Sequence, residues 1–243
     1  MEDNPDVKAY INLCLENEYQ LLNAENGQEG IDMAMEHTPD IIISDIMMPI
    51  KNGFELCETL KQDIKTNHIP IILLTAKASQ EDKISGLSIG ADAYLTKPFN
   101  KKELLIRVAQ LIELRKTLQK KYNLDTNLSF TIHNSADNKN DEFINNVIET
   151  IQNNMEDPNF NAFYLARTLN LSESQLYRKL KALTNTSTAI FIRKIRLLKA
   201  KQLLKTTTLS ISEIAYATGF NDPSWFSKAF KEEFDISPSD IRN

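Results

Sequence analysis

Residues 69–74, Ile-Pro-Ile-Ile-Leu-Leu, have no polar face. Successive side chains of a strand point to opposite sides of its sheet, so a strand wetted on one side alternates apolar and polar residues. One that is apolar throughout has to be covered on both sides, which is the situation of a parallel sheet. The stretches Asp40–Ile43 and, more briefly, Ala93–Leu95 are of the same kind. Between and around these runs, helical periodicity is found at Val7–Asn17, Gly27–His37, Gly53–Asp63, Glu81–Ile89 and Lys101–Tyr122. The alternation predicts an α/β doubly wound parallel sheet with helices on both faces. Such sheets collect ligands at the carboxyl ends of their strands. The first helical stretch follows Met1-Glu2-Asp3-Asn4 directly, with no apolar run ahead of it. The first strand is therefore expected to be missing, and the chain to be the C-terminal part of something longer.

The pattern changes in the second half. Residues 123–140 are rich in Asn, Ser, Thr and Asp without helical periodicity and read as a linker. Residues 141–243 are almost entirely helical in pattern. Ser172 with Gln175 and Ser210 with Glu213 have the spacing of capping boxes, and Asp222 precedes a proline suited to the first helical position. Two helix–turn–helix units emerge, Asn161–Leu183 and Ser210–Phe234, joined by an amphipathic helix over Thr188–Lys205. The expected organisation is thus 1–122, a linker at 123–140, and an all-α domain at 141–243.

Charge divides along the same line. Residues 1–122 carry 14 Lys and Arg against 19 Asp and Glu, whereas residues 165–205 hold ten basic side chains and one acid, Glu173. An acidic front and a basic back point to different partners for the two halves. The composition, 42% hydrophobic and 25% charged, is that of a soluble globular chain. No apolar run is long enough to span a membrane, and no signal-peptide pattern opens the sequence. Cys14 and Cys57 stand apart in helical stretches and read as free thiols of a reducing, cytoplasmic environment.

Four features of the front half fall where strands should end: the acidic pair Glu2-Asp3, Asp45, Thr75 and Lys97. Singly, each has a plain explanation as a cap, a strand residue or a solvated charge. Together, at the carboxyl edge of one parallel sheet, they form an anionic pocket with one cation and one hydroxyl. Crowded carboxylates repel unless a cation joins them, and hard oxygen donors suit Mg²⁺.

The stretches EDN (2–4), SDIMMPIKNGFEL (44–56), IPIILLTA (69–76) and GADAYLTKPF (90–99) resemble the receiver domain of two-component response regulators. The separations agree with that family: 42 residues from Asp3 to Asp45, 30 more to Thr75 and 22 more to Lys97. The resemblance implies that Asp45 is a phosphoacceptor nucleophile, and that Glu2, Asp3, Asp45 and the Met47 carbonyl hold Mg²⁺. It implies that Lys97 and Thr75 engage the phosphoryl oxygens, that Lys97-Pro98 is cis, and that Tyr94 is an aromatic switch. Phosphoryl transfer to a carboxylate, and stabilisation of spread charge by a metal and a lysine, are chemically consistent with that set.

In the back half, the helix Glu173–Leu183 buries Leu176 and Leu180 and turns Ser174, Gln175, Tyr177, Arg178 and Lys181 outward. The helix Pro223–Glu233 buries Phe226 and Phe230 and turns out Ser224, Trp225, Ser227, Lys228 and Lys231. Two such faces among ten basic residues suit a reader of DNA grooves, with Gln175, Arg178 and Lys228 at base edges and Arg193, Lys194 and Arg196 at phosphates. Residues 209–242 and 163–184 resemble the AraC-family DNA-binding domain, most specifically in Ile214, Ala215, Gly219, Phe220, Phe226, Phe230 and Pro238. The two units would enter successive major grooves.

The whole resembles the C-terminal part of a hybrid two-component sensor, and the expected function is phosphorylation-controlled regulation of transcription. It implies promoter DNA, a histidine kinase donor upstream or in another chain, and a dimer when phosphorylated. The chain itself is not expected to be an enzyme, since His37, His68 and His133 sit in no kinase-like context. Two other readings stand beside it: a phosphorylation-independent dimerisation module on a DNA-binding regulator, and a Mg²⁺-dependent phosphohydrolase. The second lacks an evident base beside Asp45.

Overall fold

A computed structural model describes residues 1–76, 90–122 and 139–242. The chain divides into two compact units, Met1–Lys121 and Tyr122–Asn243. The expected helix at Glu81–Ile89 and most of the expected linker lie outside the described residues.

In the first unit, α1 (Pro5–Leu15) begins two residues before the periodicity predicts. Asn4 accepts hydrogen bonds from the Asp6 and Val7 amides, and Pro5 occupies the first helical position. Next come α2 (Gly27–His37), β1 (Ile42–Asp45), α3 (Gly53–Gln62), β2 (Ile71–Thr75), β3 (Ala93–Thr96) and α4 (Lys101–Tyr122). The strands pair parallel in the order β1-β2-β3, with Ile42 opposite Ile71 and Ile72 opposite Ala93. All five residues of β2 are buried, as the run without a polar face requires. Its alternate side chains enter two different cores. Ile71 and Leu73 pack with Ile31 of α2 and Leu56, Cys57 and Leu60 of α3. Ile72 and Leu74 pack with Ile11, Cys14 and Leu15 of α1 and Leu104, Val108 and Leu111 of α4. That is the doubly wound arrangement. Both cysteines are buried free thiols, and burial pushes the Cys57 thiol up to about 11.

Among the described residues no strand precedes α1, but backbone ahead of that helix hydrogen-bonds to β1. The nitrogen of Met1 donates to Ile43 O at 2.8 Å, and Met1 O accepts from the Asp45 amide at 3.0 Å. The Glu2 amide turns the other way, to Ala24 O at 3.2 Å. Met1 thereby makes two backbone hydrogen bonds along β1, while Glu2 ties the same segment to residue 24.

The second unit holds α5 (Lys139–Asn153), α6 (Ala162–Thr168), α7 (Glu173–Thr184), α8 (Thr188–Thr206), α9 (Ile211–Ala217), α10 (Pro223–Phe234) and α11 (Pro238–Arg242). Helix α5 begins at Lys139, two residues inside the span read as linker. Helix α8 is the shared spine: α5, α6 and α7 pack on it, and so do α9, α10 and α11. Both capping boxes form as the spacing predicts, Ser172 with Gln175 and Ser210 with Glu213. Asp222 caps α10 through the Ser224 amide at 2.8 Å. No described helix is long and apolar enough to cross a membrane.

Candidate functional site

Three strand ends and the chain's first acids meet at the carboxyl edge of the sheet. Asp45 is the last residue of β1, Thr75 of β2, and Lys97 follows β3 directly. Hydrogen bonds between neighbouring strands keep these ends level: the Ile46 amide reaches Leu74 O at 3.0 Å, and the Lys97 amide reaches Thr75 O at 2.7 Å. The Lys97-Pro98 bond is cis. At the start of α3 the backbone passes so near Asp45 that a Cβ on Gly53 would run into the Asp45 carbonyl oxygen and lie 2.9 Å from Ile46 Cα. Glycine is the residue that permits this approach.

Side-chain chemistry follows from that convergence. Lys97 Nζ sits 2.8 Å from Glu2 Oε2 and 3.1 Å from Asp45 Oδ1, bridging two carboxylates that are themselves largely withdrawn from water. Burial works to lower the Lys97 pKa, but its hydrogen bonds to Glu2 and Asp45 and their charges outweigh burial and hold it above its ordinary value. Asp3 is exposed, and Glu2, Asp3 and Asp45 each offer a carboxylate oxygen within 4.8 Å of the others. Three hard oxygen donors around one point fit Mg²⁺. Met47, expected to contribute its carbonyl, has an exposed side chain (73%) on the loop after β1.

Tyr94 pairs with Leu73 across the sheet, and Thr75 lies two residues beyond Leu73, so Tyr94 and Thr75 share a face. Thr75 is buried. The Tyr94 ring packs against the core that includes Cys57, and its hydroxyl is buried with no hydrogen-bond partner among the described residues. Burial pushes this phenol up to about 12. A buried hydroxyl without a partner costs about 1–3 kcal/mol.

In the second unit the two helices expected to read DNA present the predicted faces, with differences. Ser174, Tyr177, Ser224, Trp225 and Lys228 are exposed, and Trp225 leans on Phe220 with ring centroids 5.3 Å apart. Arg178 and Arg193 are half-buried. Gln175, expected at a base edge, accepts from the Ser172 amide at 3.0 Å to close its capping box. Lys181 donates to Asn185 O at 2.9 Å, at the end of its own helix. Lys194, expected at a phosphate, is paired with Glu233 at 3.1 Å. Arg196, expected at another, instead donates to the carbonyls of Asp157, Phe160 and Gly219. Fixed spacing along a helix finds faces, but it does not show which side chains neighbouring turns will engage.

Sequence reasoning also passed over Lys179. It is fully buried, with Nζ 4.3 Å from the centre of the Phe143 ring. The available signal was its place three residues after Leu176, on the buried side of α7. A lysine stem can occupy such a position when its ammonium finds an aromatic face.

Residues 1–109 match the family model of the response regulator receiver domain, and residues 165–243 match that of a helix-turn-helix domain. The chain is 37% identical over 246 residues to histidine kinase P4 of Formosa agariphila, a match that takes in 100% of this chain and 18% of that protein. It is 42% identical over 113 residues to the phosphate regulon transcriptional regulatory protein of Pseudomonas aeruginosa, covering 46% of this chain and 49% of that one. The solved receiver domain of a signal transduction histidine kinase from Syntrophus aciditrophicus is 35% identical over 46% of this chain and 86% of its own, with a TM-score of 0.44. The chain therefore spans at most about half the length of these curated relatives. The family matches thus identify residues 1–109 as a response regulator receiver domain and residues 165–243 as a helix-turn-helix domain.

Proposed function

We propose that this chain is a DNA-binding regulator of transcription controlled by phosphorylation of Asp45. The observation that carries the reading is the bridge of Lys97 Nζ to Asp45 and Glu2, with Asp3 beside them. Mg²⁺, held by Glu2, Asp3, Asp45 and the Met47 carbonyl, would neutralise charge on the phosphoryl oxygens during transfer.

The chain's own residues account for the remaining steps. The Asp45 carboxylate attacks the phosphorus of a histidine kinase's phosphohistidine. The N–P bond breaks, its electron pair stays on the imidazole, and an acyl phosphate forms on Asp45. The new group adds a charge of about −1.5 to −2. Lys97, already fixed at the strand ends, supplies the nearest positive charge. Thr75 lies at the neighbouring strand end, and its hydroxyl takes up a phosphoryl oxygen. Its movement makes room on the face it shares with Tyr94, whose hydroxyl has no partner among the described residues to hold it in place. Dimerisation on phosphorylation then sets the affinity of the second unit for promoter DNA. Ser174, Tyr177, Arg178, Ser224, Trp225 and Lys228 form the faces offered to the grooves.

Incubation with Mg²⁺ and a small acyl phosphate, followed by a phosphate-sensitive gel shift and light scattering, tests the scheme. The parent chain should shift and dimerise, and Asp45→Asn should do neither. Equal labelling of Asp45→Asn would remove Asp45 from its role. Labelling with no change in mass or in affinity for DNA would leave the first unit uncoupled from the second.

A further inference from the structure

Two reading helices reach successive grooves of one DNA segment only when something fixes the distance between them. Among the side chains of the spine helix α8, Arg196 has the geometry for it. Its Nη2 donates to Asp157 O at 2.7 Å and to Phe160 O at 3.4 Å, both in the turn that leads into the first helix–turn–helix unit. Its Nη1 donates to Gly219 O at 3.3 Å, in the turn of the second unit. One planar guanidinium thus holds backbone at the entry to the first unit and in the turn of the second.

The surroundings fit this role. A cavity of about 670 Å³ opens beside Arg196, lined by Phe160 and Asn161 from one unit, Phe220 and Trp225 from the other, and Ile190 and Arg193 of α8. The guanidinium lies where the walls of this cavity from the two sides meet. Gly219 has φ +75°, and a Cβ there would lie 2.8 Å from Arg196 Cζ and 2.9 Å from Nη2 while running into Met155 O. The second unit's turn is closed down onto the guanidinium. Burial lowers the Arg196 pKa, with Asp157 opposing, yet an arginine keeps its charge under such conditions. A lysine could not replace it. Its single ammonium has no rigid fork with which to reach carbonyls on two sides.

We propose that Arg196 is a positioning residue that sets the spacing of α7 and α10 by holding at once carbonyls of the turn that leads into the first helix–turn–helix unit and of the turn within the second. The inference rests on the reading that both units bind DNA, but its first test needs no DNA. Nitroxides are placed at Ser174→Cys and Ser224→Cys, exposed positions near the starts of α7 and α10. The native cysteines are buried and unreactive in the folded chain. Pulsed electron resonance should give one narrow distance in the parent. Arg196→Gln should lose that narrow maximum, and Arg196→Lys, which can hold one side only, should lose it in part. An unchanged distribution in either variant overturns the inference. If Arg196→Gln does not fold, Arg196→Lys alone decides.

The second arm uses DNA selected by the parent chain from a random pool. Arg196→Lys should weaken binding to two-box DNA by about tenfold or more and to either single box by less than about twofold, because linkage raises the effective concentration of the second unit. Equal losses on both kinds of DNA would make Arg196 merely structural and overturn the proposal. A parent that selects no DNA would instead overturn the DNA-reading function and leave the distance result standing.

Discussion

The two helix–turn–helix units are built to nearly one plan. In each turn an amide reaches back to the same relative carbonyl, Leu171 to Ala166 O and Phe220 to Ala215 O, both at 2.9 Å. Each turn needs one left-handed residue, Asn170 in the first (φ +54°) and Gly219 in the second (φ +75°). Each second helix ends on another, Asn185 at φ +57° and Asp235 at φ +60°. Within this common frame the cores differ. Leu176, Leu180 and Thr184 occupy the positions taken by Phe226, Phe230 and Phe234. Lys179 stands where the second unit has Ala229, and both are buried. The backbone plan is fixed by hydrogen bonds, which leaves the filling free to vary with what each unit packs against. The first lies against Phe143 of α5, whereas the second makes a ladder of its own rings.

That ladder predicts the largest difference between the units. Phe230 is fully buried, with ring centroids 5.7 Å from Phe226 and 4.6 Å from Phe234. Phe230→Ala should cost about 3–5 kcal/mol through lost burial and cavity. Ring pairing adds about 0.5–1.5 kcal/mol that an aliphatic site lacks. Leu180→Ala, at the matching and equally buried position of the first unit, should therefore cost less. Urea unfolding of the full chain, followed by circular dichroism, measures both. A Leu180→Ala loss as large as that of Phe230→Ala would show that burial alone, and not the ring ladder, sets the second unit's stability.

The same contrast explains what could be read from the sequence. Features carried by side-chain pattern were legible: the buried run in β2, the strand-end positions of Asp45, Thr75 and Lys97, the capping boxes and the two reading helices. Features made by backbone from distant parts of the chain were not. Met1 and Glu2 have no apolar run to announce a strand, yet their backbone groups hydrogen-bond to residues 43, 45 and 24. The carbonyls around Arg196 come from residues 39, 36 and 23 positions away. A basic residue on a basic helix gives no sign of such a cage, so a phosphate contact was the natural expectation. Lys179 went unassigned for a related reason, since its polarity disguises an interior position. Within the pocket the sequence brought Glu2, Asp45 and Lys97 together, but only the folded structure shows Lys97 bridging the two acids.

A smaller difference should separate the two left-handed turn positions. Both demand the same backbone conformation, but only Gly219 is pressed by Met155 O and the Arg196 guanidinium. Asparagine tolerates the left-handed region. Exchanging the residues therefore tests space independently of conformation. Asn170→Gly should change stability by less than about 0.5 kcal/mol, as befits an open surface position. Gly219→Asn should cost about 1–3 kcal/mol, the usual penalty of overpacking. Thermal and urea unfolding of each variant check this. Equal, small effects would mean that Arg196 yields readily, which would also weaken its positioning role.

The smallest expected difference lies in the capping boxes, and pH exposes it. Ser172 closes on Gln175, a neutral side chain, whereas Ser210 closes on Glu213, with Oε2 receiving the Ser210 amide at 2.6 Å. Hydrogen bonds from the Ser210 side chain and backbone hold the Glu213 pKa below its ordinary value of 4.5. A carboxyl group depressed in the folded state stabilises it above the unfolded pKa, and that stabilisation is lost as pH falls through the folded value. The start of α9 should therefore loosen on acidification below about pH 4, the ordinary range for Glu, and the start of α7 should not. Carboxyl carbon titration by NMR should place Glu213 below the ordinary range for Glu, about 4.3, and Ser210→Ala should return it there. Amide exchange at the two helix starts provides the matching structural reading, with acid-sensitive opening at Glu213 and none of that origin at Gln175. If Glu213 titrates in the ordinary Glu range in the parent chain, its box contributes no more in the charged form than a glutamine would, and the two caps are equivalent.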